Sequence, residues 1–111
     1  MEKLVKGDVV VVPFPFSDFS ALKKRPAIIV AILQGDDVIC CQITSEARFD
    51  SYSINLNNND FKNGSLQVAS RIRPNRIFTV DKSIISYKAG TLKEKKIKEI
   101  EAVLVEIFNS G

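Results

Sequence analysis

The first half of the chain alternates short apolar runs with turn residues, a pattern typical of β-strands. Residues 9–12 are four consecutive valines after a Lys-Gly-Asp turn signal at 6–8, and they predict a first strand. Residues 26–33 are almost entirely apolar and predict a second strand, and residues 38–44 predict a third. The Gln-Gly-Asp-Asp sequence at 34–37 is typical of a short hairpin. We therefore expect the second and third strands to pair in antiparallel fashion.

This hairpin has a consequence for two polar residues. Pro26 fixes its own φ and restricts the residue before it, so we predict that the second strand begins at Pro26 and that Arg25 lies just outside the sheet. Arg25 and Thr44 both lie at the strand ends that are remote from the turn, and an antiparallel hairpin places such ends opposite each other. The pattern therefore predicts a cation beside a hydroxyl.

The middle of the chain carries weaker strand signals. Residues 52–56 alternate polar and apolar positions, whereas 57–65 are rich in Asn, Asp and Gly and predict a surface excursion. Residues 66–69 predict a resumed strand, and 76–81 a further one. Pro74 lies between the alternating residues before it and this last strand, so we expect the region to be bent or to lie at a sheet edge.

The last third of the chain changes to a helical period. Apolar residues recur at three- and four-residue spacing over 92–108, which predicts one amphipathic helix lying across the sheet. Thr91 and Glu94 match a capping box, so we predict that Thr91 caps this helix.

The length and net charge of the chain bear on its domain count and on whether it can bind nucleic acid. The 111 residues predict a single domain over 1–111 with its own core, and 45% hydrophobic with 26% charged residues indicates a globular protein. The net charge of +3 permits nucleic-acid binding without requiring it. Two basic clusters are candidates for a surface that follows phosphates, whereas the lysines of 93–98 are largely offset by glutamates. The two clusters are Lys23, Lys24 and Arg25, and Arg71, Arg73 and Arg76.

The cysteine and histidine content of the chain bears on two kinds of site, disulfides and metal centres. Cys40 and Cys41 are adjacent on a predicted strand and point to opposite faces, so we expect small buried side chains, no disulfide and a reducing, cytoplasmic setting. The chain has no His, which leaves no usual transition-metal site, and we expect no metal and no other cofactor. No apolar run approaches the ~20 residues of a membrane span, so we expect no membrane association.

The remaining polar residues are suited to binding a phosphate. Arg25, Thr44, Ser45 and Glu46, together with the arginines after Ser70, can hold and stabilise a phosphodiester if the substrate carries its own nucleophile. RNA does so through its 2′-OH.

Residues 14–19 contain three phenylalanines, Phe14, Phe16 and Phe19. They either cover the core, which is the interpretation we favour, or line a groove where bases stack.

An ordered series of motifs resembles one family, the MazF/PemK-like toxins of type II toxin–antitoxin systems. The resemblance spans nearly the whole chain. Its motifs are Gly7-Asp8-Val9-Val10-Val11-Val12-Pro13-Phe14-Pro15-Phe16, Lys24-Arg25-Pro26-Ala27-Ile28-Ile29-Val30, Gln42-Ile43-Thr44-Ser45, Ser70-Arg71-Ile72-Arg73, Ile77-Phe78-Thr79-Val80-Asp81-Lys82-Ser83 and Gly90-Thr91-Leu92.

The resemblance implies a mainly β fold, a compact SH3-like β-barrel of the MazF/CcdB type with a C-terminal α-helix. It also implies a cytoplasmic homodimer that cleaves single-stranded mRNA at short sequences without metal, leaving 2′,3′-cyclic phosphate and 5′-OH ends, and that binds a cognate antitoxin. The family's catalytic arginine carries over to Arg25 and its catalytic Thr or Ser to Thr44. The remaining candidates bind substrate: Phe16, Ser20, Lys23, Lys24, Ser45, Glu46, Arg71 and Arg73.

Two roles and one rival function stay open at this stage. Glu46 is a candidate general base, and Ser20 stands in for a loop serine in a loop that departs from the family's usual Gly-Ser-Glu-Gln type. The rival function is a non-catalytic relative with the same barrel, acting as a gyrase poison or an RNA-binding module.

Overall fold

The computed structural model describes residues 3–14, 23–46 and 50–111 as seven strands followed by one helix. The strands are β1 (Asp8–Phe14), β2 (Lys23–Ile32), β3 (Asp37–Thr44), β4 (Ile54–Leu56), β5 (Phe61–Gly64), β6 (Ser70–Asp81) and β7 (Tyr87–Leu92), and the helix is α1 (Glu94–Asn109). Short 3₁₀ turns occur at Asn58–Asp60 and Lys82–Ile84.

All seven strands form one sheet in the order β4-β6-β3-β2-β1-β7-β5. The two outermost strands, β4 and β5, are separated in sequence only by the 3₁₀ turn and its flanking residue. This short connection spans at most roughly 18 Å, because an extended residue covers about 3.5 Å, so the sheet must curl until its edges approach each other. Ile54 and Leu56 from one edge and Phe61 from the other then join the same core. The expected barrel with a C-terminal helix is confirmed as a curled antiparallel sheet.

Each face of this sheet carries its own core, because successive side chains on a strand point to opposite sides. Val9, Ile28 and Cys41 pack with the buried face of α1, whereas Val10, Ile29 and Cys40 belong to a second cluster on the other face. The two cysteines therefore lie in different cores, and both are free thiols, as the sequence predicts. Burial raises the pKa of both thiols to about 12, with the neighbouring Cys41 adding to the effect on Cys40.

The predicted hairpin is confirmed, with β2 and β3 paired antiparallel from Ile32 and Val38 to Ala27 and Gln42. The predicted start of β2 is wrong. The strand begins at Lys23, because Lys23, Lys24, Arg25 and Pro26 continue the pairing with β1, so Arg25 lies inside the sheet opposite Val12. Pro26 has no N–H to donate. It is accommodated because the β2–β3 ladder ends at Ala27, which leaves Val11 on β1 as the strand neighbour of Pro26.

Three other predictions in the middle of the chain need correction. Residues 66–69 form a loop instead of a strand, and part of the predicted excursion is β5, a strand of poor intrinsic propensity that forms by pairing with β7. The strands expected on either side of Pro74 are one continuous β6. The register of β6 against β3 shifts between Cys41 and Gln42, so residues 74–76 form the bend that the proline predicted.

The predicted helix is confirmed, but its predicted cap is wrong. Helix α1 buries Ile97, Ile100 and Leu104 against the sheet, while its N-cap is Lys93, which makes no side-chain capping bond. Thr91 lies on β7 instead, and its hydroxyl donates a 2.7 Å hydrogen bond to the Asp8 carboxylate. Among the described residues, no helix is both long and apolar enough to cross a membrane.

Candidate active site

A cavity of about 360 Å³ opens where β2 begins and β3 ends, on the side remote from their hairpin turn. We call it the first cavity. Its walls come from the starts of β2 and β6, the end of β3 and the 66–69 loop. The lining residues are Lys23, Lys24, Arg25, Pro26, Ile43, Thr44, Ser45, Leu66, Gln67, Val68 and Ser70.

The register of the hairpin brings Arg25 and Thr44 to this cavity together. The β2–β3 ladder ends at the pair Ala27 and Gln42, and the same register continued by two residues places Arg25 opposite Thr44. Residues two apart on a strand share a face, so Arg25 lies on the same side of the sheet as Ala27, and Thr44 on the same side as Gln42. Because Ala27 and Gln42 are paired, all four side chains lie on one side. The first cavity therefore offers a half-buried guanidinium and a hydroxyl as neighbours, as the sequence predicted.

The hydrogen bonding of Thr44 leaves its proton available for a ligand. Its Oγ1 accepts a 3.1 Å hydrogen bond from the backbone N–H of Glu46. A hydroxyl carries one donor hydrogen beside its acceptor lone pairs, so the O–H of Thr44 can still donate, for example to a phosphate oxygen. The residue itself is buried, at 4% exposure, which fixes the position of this donor.

Lys23 and Lys24 are exposed at the mouth of the first cavity, beside Arg25. Three successive cations on one strand end give this opening a positive field that attracts anions. Ser45 also lines the cavity, and Glu46, the next residue, is exposed.

The second predicted basic cluster is placed differently from the first. Arg71 pairs with Thr44 across β3 and β6, and its Nη1 donates a 3.4 Å hydrogen bond to the Glu46 carbonyl, so it holds the loop that carries the candidate base. Arg73 is buried and lies 4.0 Å from the Asp50 carboxylate. The pKa of Asp50 is lowered, mainly by the backbone N–H groups of Tyr52 and Ser53 and also by Arg73. Neither arginine lines the first cavity.

Two predicted site residues, Phe16 and Ser20, lie outside the described part of the chain, as does Phe19. Within the described part, no group of three or more Cys, Asp or Glu side chains is arranged to hold a metal ion.

Sequence reasoning missed a second cavity of about 510 Å³ beside the first. Its walls include Val11 from β1, the loop residues Leu66 and Gln67, and Tyr87 and Lys88 from β7. Tyr87 is 58% exposed, and no local pattern marks it, because only the pairing of β1 with β7 brings it beside Val11 at the second cavity.

Comparisons with known proteins agree with this architecture. A family model described as the PemK-like, MazF-like toxin of type II toxin–antitoxin systems matches residues 5–108. No curated protein sequence matches the chain.

Solved structures with the same fold share little sequence with this chain. An endoribonuclease from a Mycobacterial species, in complex with its cognate antitoxin, has a TM-score of 0.77 at 14% identity and covers 98% of each chain. The Mycobacterium tuberculosis toxin MazF-mt6 has a TM-score of 0.73 at 13% identity, over 94% of this chain and 98% of that one. MazE-MazF from Deinococcus radiodurans has a TM-score of 0.70 at 14% identity, over 95% of this chain and 94% of that one. The family match over almost the whole sequence, with the fold to go with it, establishes that the chain belongs to the PemK-like, MazF-like toxins of type II toxin–antitoxin systems.

Proposed function

We propose that this chain is a sequence-specific endoribonuclease that cleaves single-stranded mRNA by transesterification through the RNA 2′-OH. The observation that carries the proposal is the meeting of Arg25 and Thr44 at the wall of one cavity with a positively charged mouth. The Mycobacterial endoribonuclease among the structural neighbours supports the same reaction class.

In the proposed reaction the 2′-oxygen attacks the adjacent phosphorus and the bond from phosphorus to the 5′-oxygen breaks. The products are a 2′,3′-cyclic phosphate and a 5′-OH end. The nucleophile belongs to the substrate, so the reaction needs neither a metal-bound hydroxide nor a nucleophilic side chain. The protein must hold the phosphate, stabilise the charge that develops on its oxygens and manage two protons.

We assign each side chain a role that its chemistry allows. Arg25 would bind the non-bridging oxygens with its fork of N–H donors and stabilise the charge that develops on them. Although a guanidinium holds its protons tightly, Arg25 is also our candidate to protonate the leaving 5′-oxygen. Thr44 would donate its remaining hydrogen to the phosphate or orient the 2′-OH. The carboxylate of Glu46, two residues from Thr44, is the candidate base for the 2′-OH proton. Lys23, Lys24 and Ser45 would contact the flanking backbone.

Partners follow from the same proposal. We expect a homodimer that works in the cytoplasm and a cognate antitoxin whose acidic segment covers the positively charged mouth of the first cavity and competes with RNA. Among the structural neighbours, one is an endoribonuclease in complex with its cognate antitoxin and another is MazE-MazF, which supports the expectation of a partner protein.

Induction of the gene in a bacterium separates this proposal from its rival. We expect growth arrest with fragmented mRNA and intact DNA, and we expect Arg25→Ala to abolish both the arrest and the fragmentation. Arrest accompanied by DNA breaks and intact mRNA would contradict the proposal and identify a gyrase poison. Arrest that persists in Arg25→Ala would identify a binding module.

A further inference from the structure

The second cavity is continuous with the first, because Lys24, Pro26, Leu66 and Gln67 line both. The two volumes therefore form one groove that passes over the start of β2. A polymer whose scissile phosphate lies at Arg25 has to leave the first cavity, and this groove provides a continuous path beside Lys24.

The far wall of the groove is an aromatic side chain on a strand. Val11 pairs with Pro26 on one side and with Tyr87 on the other, so Pro26 and Tyr87 lie two strand spacings apart, about 10 Å. Tyr87 is 58% exposed although it is large and partly apolar. An aromatic side chain held by a sheet at the edge of a charged groove is a suitable surface for stacking a base.

Cations flank this aromatic side chain. Lys24 is exposed and faces both cavities, whereas Lys88 reaches the second cavity and lies 3.9 Å from the buried Asp8 carboxylate. Asp8 also accepts the backbone N–H of Val5 and the hydroxyl of Thr91, so it ties Lys88 to the wall. Lys24 lines both cavities, so it lies where a phosphate would pass from the first cavity to the second.

We propose that the second cavity is a nucleotide subsite for the residue of single-stranded RNA next to the scissile phosphate. The base stacks on Tyr87 and the connecting phosphate lies against Lys24. The cavity volume of about 510 Å³ lies within the range of roughly 300–1,000 Å³ that small-molecule sites occupy. This inference rests on the proposed ribonuclease activity and adds to it a residue that contributes to substrate binding.

Abasic substrates test the stacking directly. Oligoribonucleotides that contain the cleavage site, each with one base removed near the scissile phosphate, are cleaved by the parent protein and by Tyr87→Ala and Tyr87→Phe. In the parent we expect KM to rise about tenfold for one abasic position beside the scissile phosphate, with little change in kcat. Tyr87→Ala should have this higher KM already for the intact substrate, and removing the base beside the scissile phosphate should not raise its KM further. Tyr87→Phe, which keeps the aromatic ring, should have the KM values of the parent.

Phe108→Ala is the matched control, since Phe108 is another exposed aromatic residue, on α1, and it lines neither cavity. It should leave KM unchanged. Equal KM values for the parent and Tyr87→Ala on the intact substrate would overturn the subsite. It would also be overturned if every abasic position raised KM for Tyr87→Ala by the same factor as for the parent. If the parent does not cleave the intact RNA at all, it is the proposed function that fails, which distinguishes the two outcomes.

Discussion

At the scale of single residues, the hydroxyl of Thr44 is held by one hydrogen bond and free to make another. The backbone N–H of Glu46 occupies an acceptor site of Oγ1, which orients the donor hydrogen toward other partners. Thr44→Val has nearly the same shape and lacks this donor. We expect its kcat for RNA cleavage to fall at least tenfold, since a hydrogen bond to a charged group is worth about 1.5–3 kcal/mol.

Thr44→Ser keeps the hydroxyl and is the control for this substitution. It should retain most of the parent kcat in the same RNA cleavage assay. A Thr44→Val protein that cleaves RNA at the parent rate would show that the hydroxyl has no catalytic role.

The two buried thiols predict a loss of stability in alkali. Their folded pKa of about 12 lies above the value of 9.0 for a free thiol, so between these values the unfolded chain loses protons that the folded chain retains. The stabilisation is complete below pH 9 and is lost as the pH rises toward 12. At pH 10 each thiol should lower the free energy of unfolding by about 1.4 kcal/mol relative to pH 7.

Urea unfolding at pH 7 and pH 10 measures this difference. The Cys40→Ala/Cys41→Ala double variant has no thiols, and we expect it to lose about 3 kcal/mol less than the parent between the two pH values. An equal loss in both proteins would mean that the thiols ionise as readily in the folded state as in the unfolded one.

At the scale of elements, β7 is held to β1 by the buried carboxylate of Asp8. One oxygen accepts a hydrogen bond from the Thr91 hydroxyl. The other accepts a hydrogen bond from the Val5 N–H and lies 3.9 Å from the Lys88 ammonium. Asp8→Asn removes the charge and turns an N–H toward a former donor. We expect it to lower the free energy of unfolding by about 3 kcal/mol, in the range found when one partner of a buried ion pair is lost.

A double-mutant cycle distinguishes this contact from the helix cap that the sequence suggested. Thr91→Val should cost about 1 kcal/mol alone and little in the background of Asp8→Asn, as measured by urea unfolding. Fully additive losses would contradict the contact with Asp8, because a cap on α1 would not depend on Asp8.

The strands that the sequence predicted well are those whose own residues decide their conformation. The valines of β1 and the apolar runs of β2 and β3 need no distant partner to be recognised, and the same holds for the helical period of α1. In contrast, β5 and β7 depend on each other. Gly64 and Gly90 allow their backbones to approach so closely that a Cβ on Gly64 would overlap the backbone of Ala89, and no local propensity reveals such a pairing.

The same distinction applies to the site. Arg25 and Thr44 flank a single hairpin, so the turn alone was enough to predict that they meet. Thr91 was misassigned because a nearby Glu94 completes a local capping pattern, whereas its actual partner, Asp8, lies 83 residues away in sequence. Tyr87 reaches the groove only through the pairing of β7 with β1, which the sequence does not announce.

Across the molecule, the longest run of consecutive cations lies where the proposed substrate binds. The net charge is only +3, and three cations, Lys23, Lys24 and Arg25, stand together at the mouth of the first cavity. On α1, by contrast, Lys96 lies within ion-pair distance of Asp60 and Glu99, and Lys98 of Glu94. The three cations at the mouth of the first cavity attract RNA and an acidic antitoxin segment alike, which accounts for the competition we propose between them.

Arg25 is proposed to promote cleavage of RNA by its own 2′-OH, and an assay with purified protein measures this role. A single-stranded RNA and its analogue with 2′-deoxyribose at the cleavage site are incubated with the parent and with Arg25→Ala, and the product ends are identified by mass spectrometry. We expect the parent to yield 2′,3′-cyclic phosphate and 5′-OH ends from the RNA and nothing from the analogue. Arg25→Ala should fold with the parent's circular dichroism spectrum and cleave at least a hundredfold more slowly. Cleavage of the deoxy analogue, or an Arg25→Ala protein as fast as the parent, would contradict the mechanism.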